Sequence, residues 1–147
     1  MSIDVRASLD ADVPSERLFA VIRDLGTYPQ WLDIVHLAQG ADLVDGLQSW
    51  NVELRAKIGP FARSKRLRMV RTQDESPTTV VFERREVDGK KHAPWVLRSV
   101  VTEANGTSTL DVHLHYGGSL FDGGLVERVL ADQIVSGKAK LKQFLAG

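Results

Sequence analysis

Cysteine is absent from this 147-residue chain, which excludes disulfides, thiolate metal centres and cysteine nucleophiles. Net charge is absent as well. Nineteen Lys and Arg balance nineteen Asp and Glu, so no global field gathers nucleic acid or anionic lipid, although a local patch can. The apolar runs fall far short of the roughly 20 residues that span a bilayer. The start, Met-Ser-Ile-Asp-Val, has no basic segment leading into an apolar core, so no secretion signal is visible and the expected location is the cytoplasm. Gly117-Gly118 and Gly123-Gly124 lack the lysine and hydroxyl of a phosphate-binding loop, and no Gly-x-Ser-x-Gly elbow occurs. What is present is ordinary for a folded soluble protein: 43% hydrophobic and 26% charged residues. The length suits a single domain, residues 1–147, with a core large enough to need no metal or cross-link.

Periodicity sets the element order. Ile3, Val5, Ala7 and Leu9 alternate with Asp4, Arg6, Ser8 and Asp10, as in a strand with one wet face. Val13-Pro14-Ser15-Glu16 predicts a helix entry with proline at the first helical position. Leu18, Phe19, Val21, Ile22 and Leu25 follow at helical spacing, and Gly26 is expected to end the helix. Pro29 then suits the opening of a second brief helix. From about Val35 the period becomes two. Turns are expected at Gly59-Pro60, Ser76-Pro77, Asp88-Gly89 and Asn105-Gly106, the last two as tight hairpins. Gly117-Gly118 should close the sheet, and Ser119 or Asp122 should cap a final helix reaching about Leu145. The expected fold class is α+β: six or seven antiparallel strands, two short helices after the first, and a long last helix on one face of the sheet.

Over Val13-Pro14-Ser15-Glu16-Arg17-Leu18-Phe19-Ala20-Val21-Ile22-Arg23-Asp24-Leu25-Gly26-Thr27-Tyr28-Pro29-Gln30-Trp31 the chain resembles the polyketide cyclase/dehydrase group of the START-like, birch-allergen-like superfamily. The matching positions are the proline-led helix, Asp24, Tyr28, Pro29 and Trp31. Leu54-Arg55-Ala56-Lys57-Ile58-Gly59-Pro60-Phe61 is also similar to the carbon-monoxide-dehydrogenase branch of that superfamily. The resemblance implies a helix-grip fold, in which the sheet wraps the last helix and leaves a cavity between them. It implies a small hydrophobic or lipid ligand in many members and catalysis in only some. The Tyr-Pro-x-Trp motif is structural there, so it carries over no catalytic residue.

A long helix on a concave sheet leaves a void wherever the facing side chains are small, and an unfilled void is costly. The inward positions expected to line such a pocket are Trp50, Val52, Leu54, Ile58, Leu67, Met69, Phe82, Trp95, Leu97, Ser99, Val112, Leu114 and Tyr116 on the strands. On the final helix they are Leu130, Gln133, Ile134 and Gly137, the glycine leaving room beneath it. Ser99, Tyr116 and Gln133 are the polar groups best placed to orient a guest. Arg63 and Arg71 also fall on the inward side, where either can meet a ligand carboxylate or phosphate.

Two other clusters invite chemistry. His113 and His115 share a strand face with Asp111, but on the side opposite Leu110, Val112 and Leu114, and no third histidine joins them. An exposed strand face explains them, and no metal or other cofactor is expected. Arg63, Lys65, Arg66, Arg68 and Arg71 form a basic stretch without the interleaved aromatics that stack on bases. Cross-strand pairing with Glu53, Glu83 and Glu86 accounts for it, so nucleic acid is not an expected partner. Three roles remain open: a carrier of a small hydrophobic molecule, a cyclase/aromatase-type enzyme, and an accessory protein that needs a protein partner.

Overall fold

The computed structural model describes residues 2–58, 60–117 and 125–147, with the side chains of 58 and 125–130 left out of the description. Seven strands form one open, curved sheet: β1 (Ser2–Ala11), β2 (Val35–Val44), β3 (Leu47–Ile58), β4 (Phe61–Glu75), β5 (Thr79–Arg84), β6 (Trp95–Ala104) and β7 (Thr107–Gly117). Their order is β1-β7-β6-β5-β4-β3-β2, with every neighbouring pair antiparallel. Helix α1 (Ser15–Ile22) and a 3-10 helix (Leu25–Gln30) follow β1, and the long helix α2 (Leu125–Ala146) ends the chain. This is the helix-grip arrangement. Gly59, Gly118, Ser119, Asp122, Gly123 and Gly124, which carried turn, loop and cap expectations, lie outside the described residues.

Local chemistry explains the elements and three departures from expectation. Pro14 stands at the N-cap of α1, one position before the helix, and its carbonyl accepts from Arg17 and Leu18 N–H. The helix stops at Ile22, short of Gly26, because the Asp24 carboxylate accepts from Gly26 N–H at 2.9 Å and starts the 3-10 turn instead. Pro29 sits inside that turn. Asn105-Gly106 is a tight hairpin with φ of 54° and 79°, but Asp88-Gly89 is not. There the strands end at Arg84 and resume at Trp95. Glu86 turns back to bond Arg68 N–H and Arg84 Nε, and Asp88 bonds Lys90 N–H and His92. A further tight turn, Asp45-Gly46, with φ of 52° and 77°, joins β2 to β3.

The inward sides of the strands make the core. Phe82 is fully buried and meets Trp50 and Tyr28 edge-on, with centroids 5.5 and 6.3 Å apart. Tyr28 in turn packs on Trp31 at 4.4 Å. Helix α1 is tied to the sheet at its end: Arg23 pairs with Asp74, and Arg71 donates to Arg23 O at 2.9 Å. The hydrogen bond from Arg23, and then the charges of Arg71 and Arg23, hold the Asp74 carboxyl below its ordinary value of 3.8. A carboxyl whose folded-state pKa is depressed stabilises the fold above 3.8 and loses that contribution as the pH falls below it. Asp74→Asn is therefore expected to lower the thermal midpoint at pH 7 and leave it unchanged relative to the parent near pH 2, as read by thermal unfolding across pH.

Candidate functional site

The cavity forms where a row across the sheet is smallest. Ala7, Val112 and Ser99 are consecutive cross-strand partners on β1, β7 and β6. The flanking rows are larger: Val5, Leu114 and Leu97 on one side, Leu9, Leu110 and Val101 on the other. Above this dip, α2 presents Gln133, Ile134, Gly137 and Leu141. The side wall comes from Ile22, Tyr28, Trp31, Leu32 and Ile34. Together they bound a space of about 170 Å3 whose walls are almost entirely apolar.

Polar groups fix the walls rather than fill the space. Tyr28 Oη donates to Ile22 O at 2.8 Å, and burial pushes its phenol pKa up, so it stays neutral. Trp31 Nε1 donates to Thr27 Oγ1 at 3.3 Å. Ile34 N–H donates to Gln133 Oε1 at 2.7 Å, and Lys140 Nζ meets Asp33 at 2.7 Å. These two links fasten α2 to the segment before β2. Gly137 acts there in a way the sequence did not suggest: a Cβ on it would come within 3.0 Å of Leu32 Cδ1, so the glycine lets Leu32 approach the helix.

Of the residues singled out by sequence, Leu97, Ser99, Val112, Leu114, Gln133, Ile134 and Gly137 are on the cavity wall. Trp50, Val52, Leu54, Leu67, Met69, Phe82, Trp95 and Tyr116 are buried in the core, away from that wall. Trp95 and Tyr116 stack with centroids 4.6 Å apart. The side chains of Ile58 and Leu130 lie outside the described residues. The wall also includes residues that sequence reasoning did not assign to it: Val5, Ala7 and Leu9, and Tyr28, Trp31, Leu32 and Ile34. Alternation placed the first three inward. The signal for the others was the Tyr-Pro-x-Trp motif, read as structural only.

The remaining clusters are engaged elsewhere. His113 Nε2 and His115 Nδ1 both share Asp4 Oδ1, at 2.7 and 3.0 Å, on the outer face. Among the described residues no three metal-ligating side chains converge. Arg66 pairs with Glu53, Arg84 with Glu86 and Arg85 with Glu83, as cross-strand complementarity anticipates. Arg71 lies over the Trp50 ring at 5.5 Å, and Arg63 is exposed near the Phe61 ring. No helix among the described residues is long and apolar enough to cross a membrane.

A family model described as polyketide cyclase/dehydrase and lipid transport matches residues 2–145. The chain belongs to that family. No curated protein matches it by sequence. Among solved structures it is similar to a START superfamily protein from Mycobacterium smegmatis, at 16% identity and a TM-score of 0.70, over 97% of both chains. The Zhui aromatase/cyclase from Streptomyces sp. R1128 superposes with a TM-score of 0.69 at 10% identity, over 99% of this chain and 94% of that one. A STAR-related lipid transfer protein from Xanthomonas axonopodis gives 0.74 at 12% identity, over 98% and 86%. At these identities the likeness is one of fold. The family as a whole is consistent with hydrophobic ligand binding or with polyketide cyclase roles.

Proposed function

We propose that this protein binds a small apolar molecule in the cavity between the sheet and α2. The observation that carries the reading is the apolar space of about 170 Å3 beneath Gln133, Ile134 and Gly137. At about 24 cal/mol per Å3, an empty void of that size costs on the order of 4 kcal/mol. A guest removes that cost. Apolar cavities of roughly 150 Å3 admit benzene, so the described space suits one ring or a short alkyl chain. Cyclase chemistry is the weaker reading. Among the described residues the wall offers no carboxylate or imidazole, the usual groups for moving protons at neutral pH.

The test uses toluene as the probe. A ligand that binds only the folded state raises its stability with concentration, and each kcal/mol is worth roughly 2–4 °C in a domain of this size. Toluene is expected to raise the thermal midpoint by several degrees, in a saturable way. Native mass spectrometry of freshly purified protein should show a co-purifying mass that denaturation releases. A midpoint indifferent to toluene, together with the bare chain mass, would overturn the reading.

A further inference from the structure

The wall of the cavity also carries information about the guest's polar chemistry. Four small hydroxyl side chains are buried: Ser49, Thr79, Ser99 and Ser108. Ser49 Oγ donates to Asp42 O, Ser108 Oγ to Val13 O, and Thr79 Oγ1 to Thr78 Oγ1. Ser99 is 2% exposed and has no hydrogen-bond partner among the described residues. It is also the one of the four that lines the cavity. Its cross-strand neighbours are Val80 and Val112, so nothing polar stands beside it in its row. A buried hydroxyl without a partner is destabilising and calls for an explanation. Water is a poor one, because a buried water needs two to four polar contacts and this wall supplies few.

The other free polar groups on the wall are donors. The bond from Ile34 N–H occupies Gln133 Oε1, which leaves the Nε2 amide hydrogens facing out of that contact. Lys138, on the next turn of α2, brings an ammonium with no partner among the described residues. Tyr28 and Trp31 already spend their hydrogens on the protein itself. No carboxylate lines the space among the described residues. The unmet demand inside the cavity is for an acceptor.

We infer that the guest is an apolar carbonyl compound, its oxygen accepting from the Ser99 hydroxyl while its hydrocarbon body fills the space over Ala7 and Val112. The inference rests on the binding reading above and deepens it. A carbonyl suits the site better than an alcohol, because the fixed donors Gln133 and Lys138 offer nothing for a hydroxyl hydrogen. The two valines beside Ser99 exclude competing water from the new bond, which makes a single hydrogen bond count for more than it would at the surface.

The experiment compares cyclohexanone with methylenecyclohexane, which replaces C=O by C=CH2 on the same ring. Affinities are measured by calorimetry for the parent and for Ser99→Ala. This substitution removes no hydrogen bond from the described fold and so leaves folding intact. Ser99→Ala is expected to weaken cyclohexanone by roughly two- to tenfold, the worth of one neutral hydrogen bond, and to leave methylenecyclohexane unchanged. An equal change for both ligands would overturn the carbonyl inference and leave the cavity reading standing. Failure of both ligands to bind the parent would overturn both.

Discussion

Val112→Phe is expected to abolish the toluene-dependent rise in thermal midpoint while leaving the unliganded protein as stable as before, or more stable. Val112 lies between Ala7 and Ser99 in the smallest row of the sheet, on the floor of the cavity. A ring added there has empty space to enter, and cavity-filling substitutions commonly add about 0.5–2 kcal/mol. The same ring then occupies the volume a guest needs. The sign of the stability change is the decisive part. In a close-packed interior an added ring forces neighbours off their rotamers and costs about 1–3 kcal/mol. Thermal unfolding with and without toluene separates the outcomes, and a destabilised variant would mean that the space is not available to a guest.

The second large effect is at Phe82, which is fully buried and joins Trp50 on β3 to Tyr28 in the 3-10 helix. Removing a buried phenyl ring costs about 3–5 kcal/mol. Phe82→Ala should therefore lower the thermal midpoint by roughly 6–20 °C. Because Phe82 is not on the cavity wall, the folded fraction below the transition should still respond to toluene. A variant that keeps its stability would place the centre of the core elsewhere. Together the two substitutions separate what holds the fold from what holds the guest.

That separation also explains how much the sequence disclosed. The sheet was legible because its strands alternate and Asn105-Gly106 permits a tight turn with two positive φ values. The Asp88-Gly89 pair misled because turn propensity is local, while Glu86 binds back to Arg68 and Arg84 and draws the chain into a long loop. The end of α1 misled for a similar reason: a side-chain acceptor at Asp24 decides it before the glycine is reached. Both cases set a nearby polar contact against a backbone preference, and the contact wins.

For the site, alternation identified the inward residues on the strands. It does not tell which of them are covered by another side chain and which face a gap. Trp50, Met69 and Phe82 are inward and large, and they fill the concavity. Ala7, Val112 and Ser99 are inward and small, and they leave it open. The lateral wall from Tyr28 to Ile34 depends on where α2 lands. That is settled by contacts nearly a hundred residues apart in sequence, such as Ile34 with Gln133. No local pattern encodes such a meeting.

Strand β1 is the outermost strand on its side, bonded to β7 alone, yet it supplies Val5, Ala7 and Leu9 to the cavity wall. An edge strand is normally among the first parts of a sheet to breathe. Here a lodged molecule would press on it from within, so occupancy and the anchoring of the N-terminal segment become one equilibrium. Amide hydrogens of β1 would then exchange with solvent more slowly in the loaded protein than in the empty one, which makes the first strand a built-in gauge of filling.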